Sequence, residues 1–360
     1  MCRGDIVNKY FSSVICSKGY LCSYNTIYKK EPSASVYIIQ GDDYEKSVFF
    51  AQMTKHLSGY NITLFNPFYD EGPDGIYIKN LNTYILSDGG YSKTNPILPG
   101  IWEKQINIVE NKNYKSDLLR EVLIHKSQEN NYYRDAYITL KKASLIKERL
   151  HNELSPYLNE EKIVNFIYRF KNKELKSIKT HGKGEIRLIS SPTPLGFHTH
   201  YDTIFSLCDK VVDIVDDTGF VGSIVSGVIK NFAIREKLPI IASPSYYKND
   251  FFQFLIFPTV KKGLCISDKS HILPFESNET VTTSRFLTSP QMLNHKNVDI
   301  LLAIEEKLLD KATLSLYEGR EERFKCSDLV KGYSNPEKAT YSADSLAERL
   351  LNWKKQMAEY

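Results

Sequence analysis

Short apolar runs closed by turn residues alternate along this chain with longer stretches whose apolar residues recur every three or four positions, the pattern of an α/β protein. In the first half, runs at 36–39, 61–65, 76–78 and 84–86 predict strands, and residues 1–35 lead into the first of them. Asn66-Pro67 is expected to stop the second strand, because proline removes a ladder donor. Phe49 or Phe50, Met53 and Leu57 fall at helical spacing after the first run. A long helical pattern over 116–154 breaks at Ser155-Pro156 and resumes over 160–170, predicting a helical hairpin appended to the first α/β unit. In the second half, strands are predicted at 211–215, 239–242, 252–257 and 263–267, and helices at 298–312 and 343–357.

The halves repeat one another. Ile38-Ile39-Gln40-Gly41-Asp42-Asp43 running to Ser47 is answered by Ile214-Val215-Asp216-Asp217-Thr218-Gly219 running to Ser223, with the serines 176 positions apart. Gly19-Tyr20 is answered by Gly196-Phe197 and Asn66-Pro67-Phe68-Tyr69 by Ser243-Pro244-Ser245-Tyr246, both at 177. Ser87-Asp88 is answered by Ser267-Asp268 at 180. Four blocks in one order at a nearly constant offset read as a tandem duplication of an α/β unit. The expected domains are 1–176, with the hairpin at about 116–170, and 177–360, with C-terminal helices.

A strand, a polar turn, Lys46-Ser47 and a helix form the layout of a phosphate-binding loop, in which glycines let backbone amides curl round phosphates, the lysine reaches the outer phosphates and the hydroxyl holds magnesium. The window 40–47 keeps Lys46 and Ser47 but replaces both framing glycines, with Gln40 and Glu45; only Gly41 remains, inside. Asp42, Asp43 and Glu45 place carboxylates where a triphosphate would lie, and one like-charge pair at about 4 Å costs roughly 4 kcal/mol at an effective dielectric near 20. The same acids suit a cationic or metal-bridged ligand better than a triphosphate. In the second copy Gly222 replaces the lysine; Gly219 and Gly222 leave room for a backbone anion nest before Ser223, but Asp216 and Asp217 argue against one, and the window reads first as a structural turn. Asp88, at the end of an apolar run, stands where such enzymes keep a magnesium-holding carboxylate; Asp88-Gly89-Gly90 also reads as a simple turn. His198-x-His200 faces one side of a strand but lacks a third metal ligand.

This order of features resembles a bacterial family of tandem P-loop ATPase-like proteins, whose repeated block runs from G-[FY]-x-S-x-[YF]-D through a strand and a G-G-P-G-T-G-K-S-T loop to a strand ending in Asp-Gly. Gly19, Tyr20, Ser23 and Tyr24 match the opening segment, with Asn25 in place of Asp; Gly196, Phe197, Tyr201 and Asp202 match it in the second copy. Asp74-Gly75 and Asp88-Gly89 fit the later strands of the first. The resemblance spans nearly the whole chain. It implies two P-loop NTPase-like three-layer domains with mainly parallel sheets, and ATP with magnesium as the ancestral ligands. Gly41, Lys46, Ser47, Gly219, Gly222 and Ser223 would be the nucleotide contacts, and Ser47 and Asp88 the metal contacts. With both loops degenerate, the expectation is a scaffold or regulatory protein that binds nucleotide weakly or not at all. The alternative is an NTPase or small-molecule kinase working from the first copy alone.

Composition narrows the classes without choosing among them. A formal charge of +4 is too mild to imply nucleic acid or an anionic membrane. The run Lys171, Lys173, Lys176, Lys179, Lys183 reads as an interdomain linker. Six scattered cysteines without a C-x-x-C pair, no apolar leader and no run long enough to span a bilayer point to a reduced, soluble, cytoplasmic protein, with a protein partner left open.

Overall fold

The computed structural model describes residues 7–70, 72–89, 91, 96–109, 116–176, 178, 181–247, 251–269, 271–274 and 277–358. The protein is α/β, with two mixed sheets and flanking helices. The first sheet has seven strands, β1 (Asn8–Cys16), β2 (Gly19–Cys22), β3 (Ser35–Gln40), β4 (Ile62–Pro67), β5 (Gly75–Ile78), β6 (Thr83–Asp88) and β7 (Glu103–Asn107), in the order β2-β1-β4-β5-β6-β3-β7. β3 lies between β6 and β7 and is parallel to both. Val36, Ile38 and Ile39 are wholly buried and Tyr37 nearly so, because a central strand covered on both faces needs apolar residues at every position. β5 runs antiparallel to its two neighbours. β4 includes Pro67 rather than stopping before it, at the point where its register against β1 shifts.

One face of this sheet is closed by α2 (Asp43–His56) and by the last helix of the chain, α8 (Pro336–Ala358), while the short α1 (Tyr24–Ile27) precedes β3. Phe49, Phe50 and Met53 of α2, with Leu57 at its C-cap, meet Ala339, Ala343, Leu346, Ala347 and Leu350 of α8 over Tyr37, Ile39, Ile76 and Ile85. Each wholly buried phenylalanine there is worth about 1.5–3 kcal/mol. The segment over 343–357 is therefore the end of a longer helix that belongs with the first sheet.

The second sheet is built from β8 (Gly184–Ile186), β11 (Lys210–Val215), β12 (Ile240–Pro244), β13 (Phe252–Phe257), β14 (Lys262–Ser267) and β15 (Glu279–Thr282), in the order β15-β11-β14-β13-β12-β8. A separate hairpin joins β9 (Ser190–Thr193) to β10 (Gly196–Thr199). β11 is parallel to β14 and β15, and β13 is antiparallel to both neighbours. Taken from the strand beside the one that feeds the loop, β7-β3-β6-β5-β4-β1 and β15-β11-β14-β13-β12-β8 share order and strand directions. The second sheet is covered by α6 (Phe220–Arg235) and α4 (Glu160–Phe170), with α5 (Tyr201–Leu207) before β11. Phe166 packs edge-on against Phe286 at 5.4 Å.

The predicted hairpin forms as α3 (Ser116–Leu154) and α4, turned at Ser155–Tyr157 and restarted by Asn159, whose side chain accepts from the Lys162 amide. The run over 298–312 is the start of α7 (Lys296–Lys331). The chain forms two compact units: residues up to 14, 20–133 and 316 onward make one, and 15–19 with 134–315 the other. The sheets follow the sequence repeat, one on each side of residue 176, but the unit boundary crosses α3 at 133/134 and α7 at 315/316. α4, read from the sequence as part of the first unit, packs in the second. The basic run 171–183 is not all linker: Lys171–Leu175 extends α4 as one π-helical turn and buries Glu174, which pairs with Lys210 at 2.8 Å and Lys262 at 2.6 Å. Lys179, like Gly90 and Cys2, lies outside the described residues. Among the described residues no helix is long and apolar enough to cross a membrane, and the described cysteines are free.

Candidate functional site

In the first unit β3 ends at Gln40 and α2 begins at Asp43, so only Gly41 and Asp42 separate strand from helix. A phosphate cradle needs free amides in an extended loop; here the helix has taken in Asp43, Tyr44 and Glu45, and Lys46 and Ser47 lie within its first turns. The acids cause this. Asp42 is the N-cap, its carboxylate accepting from the Glu45 amide at 2.8 Å and its carbonyl from the Lys46 amide at 3.0 Å, and Asp43 and Glu45 complement the positive end of the helix dipole. Gly41 makes room for Ile108: an added Cβ would stand 2.6 Å from Ile108 Cγ1.

Nor do the three acids converge as a cation site. Asp42 accepts from the Ser334 hydroxyl at 2.6 Å, and Glu45 from the Asn335 amide at 2.7 Å, where it helps start α8. Asp43 instead joins a buried ionic centre. Its carboxylate lies 2.7 Å from Arg323 and 3.3 Å from Lys46. Arg323 also bonds Glu129 at 2.8 Å and the Tyr69 hydroxyl at 3.1 Å, with its guanidinium 3.9 Å from the centre of the Tyr69 ring. Lys126 bonds Glu129 at 2.7 Å. Burial pushes the Asp43 carboxyl up, but the charges of Arg323, Lys46 and Lys126 more than offset this and hold it well below the usual carboxylate range.

The depressed Asp43 fixes a pH dependence. Its contribution to stability is present above the ordinary value of 3.8 and is lost as pH falls through the lower folded-state value. Asp43→Asn should lower the urea midpoint at pH 6, and the gap between variant and parent should begin to close as pH drops below about 4. A gap that stays constant or widens in acid would contradict the assignment.

The structure brings Lys46 and Asp88 together, though through the backbone: Lys46 Nζ donates to the Asp88 carbonyl at 3.2 Å. The Asp88 carboxylate, last on β6 and opposite Gln40 in the register, accepts from the Gln40 amide group at 3.2 Å. Ser47 is not part of this group. It is exposed on α2, and its hydroxyl donates to the Tyr44 carbonyl at 2.7 Å.

The second unit keeps more of a loop. β11 ends at Val215, Gly219 has φ +68° as the residue before α6, and Asp216 to Thr218 bridge them. Asp216 is 1% exposed, and its carboxylate accepts from the Gly222 amide at 2.7 Å and the Thr218 hydroxyl at 2.6 Å. A carboxylate of the chain thus occupies the anion position at the start of α6. Gly219 takes a left-handed conformation closed to most side chains, and Gly222 lets the helix approach Ile266 of β14. Ser223 back-bonds to the Phe220 carbonyl.

Above this loop Lys147 and Glu305, both about 5% exposed, pair at 2.9 Å. Lys147 also donates to the Asp217 carbonyl at 2.6 Å, and Tyr246 to Glu305 at 3.2 Å. Burial raises the Glu305 carboxyl above its ordinary value, and Lys147 only partly opposes it. Beside the pair opens a cleft of about 510 Å³ lined by the tip of the β9–β10 hairpin, the C-terminal ends of β11 and β14, and one face of α7. That edge of the parallel strands is where open α/β sheets hold ligands.

The sequence reading misses these ionic pairs, although a signal for them exists. Glu129 and Lys147 stand 18 residues apart on α3, as do Glu305 and Arg323 on α7. Eighteen residues make five turns of 3.6, so each helix presents its two charges on one face, and the polarity of the pair reverses between the units. The His198 and His200 rings lie 5.1 Å apart, but among the described residues no three His, Cys, Asp or Glu side chains cluster closely enough to hold a metal ion. No known family matches the chain, and no curated protein or solved structure shows significant similarity to it.

Proposed function

We propose that this chain is a tandem duplication of a P-loop-like α/β unit in which both nucleotide cradles are closed from within, leaving a non-hydrolysing scaffold or regulatory protein. The shared strand order and directions of the two sheets, together with the four repeated sequence blocks, support the duplication. The observation that carries the functional reading is the Asp216 carboxylate at the Gly222 amide and Thr218 hydroxyl, where a phosphate oxygen would otherwise sit. The first copy supports it from a different direction. There a capped helix replaces the loop, and Lys46, the cation a triphosphate would need, is 7% exposed and already held by Asp43 and the Asp88 carbonyl.

The alternative, an NTPase or kinase working from the first copy, needs Ser47 and Asp88 on one magnesium ion. With Ser47 exposed and bonded back into its own helix, that pairing requires α2 to unwind at its start. Steady-state phosphate release from Mg-ATP separates the readings. The full chain, Lys46→Ala and Asp88→Asn should all match the buffer rate. Release well above buffer that both substitutions abolish would overturn the proposal.

A further inference from the structure

The two units treat the same position differently. Around Arg323 in the first, three cations (Lys46, Lys126, Arg323) face two carboxylates, Asp43 and Glu129, and Lys46 also donates to the Asp88 carbonyl. In the second, Gly222 stands in place of the lysine, and the 510 Å³ cleft is open. Its walls carry Lys147 and Lys269 against six carboxylates, those of Asp217, Asp268, Asp299, Glu305, Glu306 and Asp310, a formal balance of 2 − 6 = −4. The first unit also shows what satisfies such a place: a guanidinium lying on the Tyr69 ring and bridging two carboxylates. Tyr246, which answers to Tyr69 in the repeat, lines the cleft with the Phe197 ring tilted against it at 4.7 Å.

We propose that this cleft binds a small organic polycation, an aliphatic molecule carrying two or more amino or guanidino groups, which supplies from outside the charge that Arg323 and Lys46 supply within the first unit. The cleft volume falls in the range of small-molecule sites. Its acids are spread along a wall: Glu306 and Asp310 stand about one helical turn, 5.4 Å, apart on α7, and Asp299 lies about two turns before Glu306. That spacing suits amines joined by three- or four-carbon linkers, whose methylenes would run along Leu302, Leu309 and Phe197. A single metal ion suits it poorly, since no three of the described acids gather at one point. The site does not depend on the fate of the nucleotide cradles.

Calorimetric titration of the full chain with spermidine at physiological salt tests this. Saturable binding at one site per chain is expected, unaffected by millimolar magnesium and weakened about tenfold in Glu306→Gln/Asp310→Asn. Both residues are exposed, so the variant should fold; Asp299→Asn, equally exposed, is the second probe and should weaken binding several-fold. No saturable heat, affinity unchanged in both variants, or displacement by magnesium at equal concentration would each overturn the site. Mg-ATP is titrated separately, so failure here and failure of the closed cradles remain distinguishable.

Discussion

Arg323→Met is expected to destabilise the protein by about 3–5 kcal/mol, measured as a fall in the urea midpoint at neutral pH at unchanged slope. Arg323 is 6% exposed and Glu129 is wholly buried, so truncation leaves a carboxylate in the interior with Lys126 as its remaining ion-pair partner among the described residues, and removes the guanidinium from the Tyr69 ring. Methionine matches the length of the aliphatic stem, so the loss reports charge and hydrogen bonding more than packing. Adding Glu129→Leu should recover most of the loss, because replacing a buried pair with apolar groups is close to neutral whereas halving it is not. A single-variant loss below about 1 kcal/mol would show that the centre relaxes or hydrates instead of acting as a buried unit.

Lys147→Met should cost a comparable roughly 3–5 kcal/mol, a penalty that shrinks in acid like that of Asp43→Asn but from a higher pH. Burial already raises Glu305 above the ordinary carboxyl value of 4.5, and removing its cation raises it further. A group whose folded-state value lies above its unfolded one contributes stability that is complete below the unfolded value and is lost as pH rises through the folded one. The penalty of Lys147→Met should therefore be largest at pH 7–8 and shrink as pH falls towards 4.5, because Glu305, with its raised value, takes up a proton above that pH. Glu305→Leu in the Lys147→Met background should restore most of the neutral-pH stability. A penalty that does not vary between pH 5 and 8 would contradict the pairing.

Much of the fold was legible because its signals were long or continuous. α3 and α4 occupy the predicted ranges, since eleven turns of periodic pattern end at a proline and restart at an asparagine cap. β3 carries an unbroken apolar run over 36–39, and β13 is apolar but for Gln253. What escaped was what tertiary contacts rescue. β1 carries Ser12 and Ser13, wholly buried, which interrupt its pattern. β7 reads Glu-Lys-Gln, yet the Glu103 carboxylate is buried and satisfied by the Ile97 and Leu98 amides. α7 extends well past 312 through a charged stretch containing Gly319, a poor helix residue kept where the Tyr133 ring packs against the backbone.

The site was legible in part for a related reason. Lys46 and Asp88 meet because β3 and β6, neighbours in the sheet of one unit, place them together, whereas Arg323 approaches from 277 positions away and leaves no local pattern. Asp42 and Glu45 weigh in sequence as charge against phosphate. In the structure they act at capping distance: Asp42 starts α2 and Glu45 starts α8. These two acids thus shorten the link between β3 and α2 to two residues and start two helices.

The most direct test of the closed cradles is a calorimetric titration of Mg-ATP into the full chain. The structure predicts no saturable heat up to about 1 mM nucleotide, binding weaker than roughly −4 kcal/mol. A dissociation constant near 1 µM, roughly −8 kcal/mol, that disappears in Lys46→Ala would show that a working phosphate site survives at the start of α2.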